Sequence, residues 1–142
     1  MAPSEPSTVV GLDTSVVVRL LAGEPPAQAE RALSFLDELR GRGGTPIVSD
    51  LVVAESYFAL HAHYGVPKRE AVRALLDLLE SGWASPEPNG SAMEVLRAMV
   101  TASQSPGFAD RLIHAQYVQA AARVVSFERA FRKLEGTIVL RA

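Results

Sequence analysis

Thr8-Val9-Val10-Gly11-Leu12-Asp13-Thr14-Ser15-Val16-Val17-Val18-Arg19-Leu20-Leu21 decides how the rest of this sequence is read. An apolar, β-branched run drives into one carboxylate, then a pair of hydroxyls, then a second apolar run. The first run predicts a short central strand of a parallel sheet, buried on both faces. Thr14 and Ser15 favour a helix start, and the second run, ending at Ala22-Gly23, predicts a short buried helix. Asp13 then stands at the carboxyl end of a strand, where open α/β sheets gather their ligands. A carboxylate in such apolar company is costly without a partner, and a cation would be one.

Working outward, the two hydrophobic periods alternate. Pro25-Pro26 opens a helix carrying Ala29, Ala32, Leu33, Leu36 and Leu39, and Gly41 to Gly44 end it. Pro46-Ile47-Val48 predicts a strand. Ser49 or Asp50 then caps a helix from Leu51 to about Tyr64, and a fourth helix spans Lys68 to Ser81 with Val72, Leu75, Leu76 and Leu79 inward. Trp83 to Gly90 reads as loop with at most a short strand. Ser91-Ala92-Met93-Glu94 has the form of a capping box for a fifth helix to about Ser103. Phe108 to Ala122 is a sixth, largely buried helix; Arg123 to Ser126 a strand; Phe127 to Leu134 a short helix; and Thr137 to Leu140 a last strand. Strands alternating with helices predict an α/β fold with a mainly parallel sheet of 4–5 short strands. Residues 1–7 read as a disordered lead-in and 8–142 as a single domain.

Composition narrows the function classes. The chain has 142 residues, 48% apolar and 21% charged, which suits one globular domain. No apolar run of about 18 residues offers a membrane span. The amino terminus lacks a signal-peptide pattern, and there is no cysteine, which together favour the cytoplasm. A net charge of −2 announces no global field for nucleic acid, so any such contact needs a local patch. Twelve of the fourteen positive charges are Arg, the side chain suited to bidentate phosphate contact. No G-x-x-x-x-G-K-S/T phosphate loop exists.

Three further acids stand beside Asp13. Glu55 is the only charge within Leu51 to Leu60 and is expected to be at least partly buried. Asp110 lies in Phe108-Ala109-Asp110-Arg111-Leu112-Ile113, at the opening of a helix. Glu128 follows the strand Val124-Val125-Ser126. Each alone could be a first-turn acid favoured by the helix dipole. In a parallel sheet with right-handed crossovers, however, strand ends and helix starts share one edge. Clustered carboxylates repel by about 3 kcal/mol per close pair at an effective dielectric of ~20. A divalent cation relieves that repulsion, and oxygen-only ligands select Mg²⁺ or Mn²⁺ over Zn²⁺. Such a site suits hydrolysis of a phosphate ester.

In these four segments, taken in order, the sequence resembles the PIN domains, and among them the VapC-type toxins of bacterial toxin–antitoxin pairs. The carriers are Gly11-Leu12-Asp13-Thr14-Ser15, Ser49-Asp50-Leu51-Val52-Val53-Ala54-Glu55, Phe108-Ala109-Asp110-Arg111 and Val124-Val125-Ser126-Phe127-Glu128. The resemblance implies a three-layer αβα, PIN-like fold and a metal-dependent endoribonuclease that cuts transfer or ribosomal RNA to arrest translation. It implies that Asp13, Glu55 and Asp110 hold Mg²⁺ or Mn²⁺ and that Glu128 assists directly or through water. Thr14, Ser15 and Ser126 would support these acids. It further implies a homodimer silenced by a VapB-like antitoxin. Arg111, Arg129, Arg132 and Lys133 are candidates for RNA backbone contact. Two departures stand out: Glu128 is one methylene longer than the usual Asp or Asn, and Gly107 replaces a further Asp. The alternative is a PIN-like module kept for binding or regulation.

Overall fold

A computed structural model describes residues 8–141; the expected lead-in, 1–7, lies outside the described residues. Strand β1 (Val9–Gly11) leads to helix α1 (Thr14–Ala22), α2 (Pro26–Gly41), β2 (Thr45–Val48), α3 (Asp50–Ala62) and α4 (Lys68–Glu80). Then follow β3 (Ser85–Pro86), α5 (Ala92–Met99), α6 (Phe108–Gln119), β4 (Val124–Ser126), a 3₁₀ turn (Arg129–Lys133) and β5 (Thr137–Val139). This is the expected mixed α/β fold, with five short strands among the described residues, all paired in parallel. Hydrogen bonding divides them into a three-stranded sheet of order β1-β2-β3 and a two-stranded sheet of β4 and β5. No helix among the described residues is long and apolar enough to cross a membrane.

The order corrects one expectation. Among the described residues β1 pairs only with β2 and forms an edge of its sheet, with Val9 opposite Thr45 and Gly11 opposite Ile47. Val9 is therefore 59% exposed rather than buried on both faces. Parallel pairing nonetheless puts the carboxyl ends of β1, β2 and β3 at one edge, so α1 and α3 start side by side. Gly23, at φ 71°, takes the left-handed position that closes α1, and its N–H donates to Arg19 O. Ser49 caps α3: its hydroxyl accepts from Val52 N–H at 3.2 Å.

The core lies where α3, α4, α5 and the first turns of α6 meet around Val48. Ala71, Val72, Leu75, Leu76 and Leu79 line the inner stripe of α4, as their 3.6-residue spacing predicts. α6 departs from expectation: only Phe108 and Leu112 are buried, while Ile113, Tyr117 and Val118 are exposed. The helix docks by its amino-terminal turn, through Phe108 against Tyr57 with ring centroids 5.5 Å apart. Nothing among the described residues covers the far side.

Candidate metal and nuclease site

The site begins where β1 hands over to α1. Leu12 N–H still donates to Ile47 O at 2.9 Å, which fixes the chain up to the residue before Asp13. Asp13 occupies the N-cap position, yet its side chain caps no helical amide. Ser15 Oγ instead donates to Asp13 Oδ2 at 3.1 Å. The preceding hydroxyl points the other way: Thr14 Oγ1 donates to Glu55 Oε2 on α3 at 2.7 Å. Two consecutive hydroxyls thus hold two carboxylates from different elements at one helix start. The Ser15 hydroxyl first, then the nearby N–H groups of Thr14 and Ser15, which form no capping hydrogen bond with it, hold the Asp13 carboxyl below its ordinary value, so it is ionised at neutral pH.

Glu55 is exposed, not partly buried. The inner stripe of α3 is Val53, Ser56, Tyr57 and Leu60, and Glu55 falls beside it, towards α1. Its apolar sequence neighbours feed other faces of the helix.

Asp110 lies in the first turn of α6, half-buried, and Glu128 is exposed at the start of the 3₁₀ turn. Ser126 Oγ accepts from the Glu128 backbone N–H at 2.9 Å, so it positions that residue through its backbone. The described residues bring together no group of three or more His, Asp or Glu that could hold a metal. What the structure joins directly is the Asp13–Ser15 and Thr14–Glu55 pair; Asp110 and Glu128 make no hydrogen bond to it. The donor set is all oxygen, with two exposed carboxylates held by adjacent hydroxyls, and this chemistry fits Mg²⁺ or Mn²⁺.

The expected RNA-contact residues divide in two. Arg111 donates to Pro106 O at 2.8 Å and Ser103 O at 3.0 Å, and Lys133 donates to Ser105 O at 3.0 Å. Both brace the segment before α6. Arg129 and Arg132 have no protein partner among the described residues; with Phe127, Leu140 and Arg141 they line a hollow of about 640 Å³. His114 bonds Glu135 O, and His61 bonds Val66 O, so neither points to a shared site.

One acid that sequence reasoning left as a mere capping option does much more. Asp50 is 4% exposed, and its carboxylate accepts from Ser91 N (2.8 Å), Ala92 N (3.0 Å) and Gln116 Nε2 (3.1 Å). It caps α5 from outside. The expected capping box is therefore absent, and Ser91 Oγ turns to Gln119 Oε1 instead. Gly90 is what permits the approach, since a Cβ there would lie 2.6 Å from Asp50 Oδ1. Glu87 Oε1 accepts from Asp50 N–H at 2.7 Å, so it too is committed to structure.

Comparison with curated proteins and with solved structures gives no match. A family model described as the PIN domain does match, over residues 10–136, from within β1 to the residue before β5. PIN domains are generally metal-dependent nucleases. The match spans all four acids and most of the chain, and the chain belongs to the PIN domain family.

Proposed function

We propose that this PIN domain is an Mg²⁺- or Mn²⁺-dependent endoribonuclease, acting as a VapC-type toxin on transfer or ribosomal RNA. The observation that carries this reading is the pair of consecutive hydroxyls that holds Asp13 and Glu55 at one helix start, both open to solvent. Asp13, Glu55 and Asp110 would hold the cation, with Glu128 assisting. A bound divalent ion activates a water and neutralises charge building on the phosphodiester. The chain's own residues do the orienting. Ser15 and Thr14 each donate to one carboxylate oxygen and so orient the two acids. Arg129, Arg132 and Arg141, unpaired among the described residues around exposed Phe127, suit a polyanionic strand with unstacked bases. Exposed Ile113, Tyr117 and Val118 on α6 support a partner face for a second copy or an antitoxin.

The test is incubation of the purified protein, freed of any antitoxin, with total bacterial RNA in Mn²⁺, Mg²⁺ or EDTA. Asp13→Asn and Thr14→Val run alongside. Discrete bands that need metal, vanish with Asp13→Asn and weaken with Thr14→Val are the expected result. RNA binding without cleavage, equal in all three proteins, would make the chain a binding module.

A further inference from the structure

Beside Asp13 and Glu55, a hollow lies between α1 and the end of α3. Along α3 and its C-cap residue, Glu55, Ala59 and His63 recur every four residues and so share one stripe. On α1, Thr14 and Val18 do the same, with Arg19 beside them. Thr14, Val18, Arg19, Ala59, His63 and Tyr64 wall a hollow of about 480 Å³ that starts at the hydroxyl bonded to Glu55. Its lining joins the Thr14 hydroxyl that bonds Glu55 to the side chains of Arg19, His63 and Tyr64.

We propose that this hollow seats one nucleotide of single-stranded RNA, next to the phosphodiester held at the carboxylates. The proposal rests on the nuclease reading and adds a subsite to it. Its volume lies in the range of small-ligand pockets. Val18 and Ala59 give an apolar floor, and the rings of His63 and Tyr64 offer stacking surfaces for an unstacked base. Phe58 stands perpendicular to the His63 ring, with centroids 6.2 Å apart, and supports it from outside.

Arg19 supplies the charge. Its Nε donates to Gln28 Oε1 at 2.8 Å, which orients the guanidinium plane. Its terminal nitrogens have no partner among the described residues, and no carboxylate pairs with it. An oriented guanidinium with free donors is made for a phosphate. A strand whose scissile bond reaches Asp13 and Glu55 must lay an adjoining nucleotide on one side of α1, and this hollow opens there.

The experiment uses the Asp13→Asn protein, so that RNA survives, and a fluorescent single-stranded oligouridylate read by anisotropy. Into it go Arg19→Ala, His63→Ala, Tyr64→Ala and Tyr64→Phe, each checked by thermal melting. His63→Ala and Tyr64→Ala should each weaken binding about tenfold, the loss of one base stack. Tyr64→Phe should restore it, because the ring and not the hydroxyl does the work. Arg19→Ala should weaken binding and lower the salt dependence by about one phosphate contact. Binding within twofold of the parent for all these variants, with normal melting, overturns the subsite and assigns the groove to a protein partner. If the native protein meanwhile cuts RNA, the nuclease reading stands without the subsite. A native protein that neither cuts nor binds RNA removes both.

Discussion

Replacing Asp50 by Ala separates an acid that builds the fold from the acids that are free to act. The substitution removes the acceptors of two amides at the start of α5, Ser91 and Ala92, which are 5% and 1% exposed. It also frees one hydrogen of Gln116. Loss of a helix cap alone costs about 1 kcal/mol. Each buried donor left without an acceptor costs about 1–3 kcal/mol more, partly recovered if water enters the vacated space. We expect a loss of about 3 kcal/mol, the lower part of that sum. For a domain of this size that is a fall in melting temperature of about 10 °C. Asp50→Asn keeps the volume and one acceptor oxygen, and should lose about half as much. Differential scanning calorimetry and urea unfolding read both variants. If Asp50→Ala melts within about 2 °C of the native protein, the capping argument is refuted. If it also loses metal-dependent cleavage, Asp50 belongs with the acids proposed to hold the cation instead.

Two other expectations follow from single side chains. Tyr57 is buried against Phe108, burial pushes its phenol above the ordinary value, and its hydroxyl has no partner among the described residues. Tyr57→Phe keeps the ring contact and removes an unsatisfied oxygen, so stability should hold or rise by about 1 kcal/mol; a clear loss in urea unfolding would mean the hydroxyl is bonded. Asp13 carries the second. Its folded-state value lies below the ordinary 3.8, so its contribution is complete above that pH and is lost as pH falls through the folded value. Ser15→Ala removes the largest cause, and an NMR titration should show the Asp13 carboxyl moving up towards 3.8. An unmoved titration would count against the Ser15 bond.

What the sequence made legible was local. The turn from strand to helix at Asp13, the Ser49 cap and the inner stripe of α4 each depend on residues within two helical turns, and each formed as expected. What it hid depends on distant partners. The edge position of β1 is set by pairing with Thr45 to Ile47, which no periodicity within β1 reports. The carboxylate of Asp50 meets donors 41 and 66 residues away, and that encounter displaced a capping box whose local pattern was complete. Glu55 looked buried because apolar side chains flank it in sequence, whereas exposure follows the helical stripe on which it sits. The outer side of α6 misled in the same way, since apolar residues there run past the turn that Phe108 anchors.

Strand ends alone do not mark the acids that are open to a ligand. Asp13, Asp50, Glu87 and Glu128 each follow a strand, after β1, β2, β3 and β4, within two residues. The fold sorts them by the donors they meet. Asp50 and Glu87 accept backbone N–H groups and are spent on the start of α5 and on each other's segment. Asp13 meets a hydroxyl, and Glu128 no side-chain donor among the described residues; both remain exposed. A carboxylate committed to buried amides cannot turn to a cation without breaking the fold. One steadied by a single hydroxyl keeps its remaining lone pairs for a ligand. Glu55 passes the same test from α3, although it follows no strand directly, because Thr14 is its hydroxyl. Among the acids proposed for the site, the hydroxyl pair therefore leaves Asp13 and Glu55 with lone pairs open to a ligand.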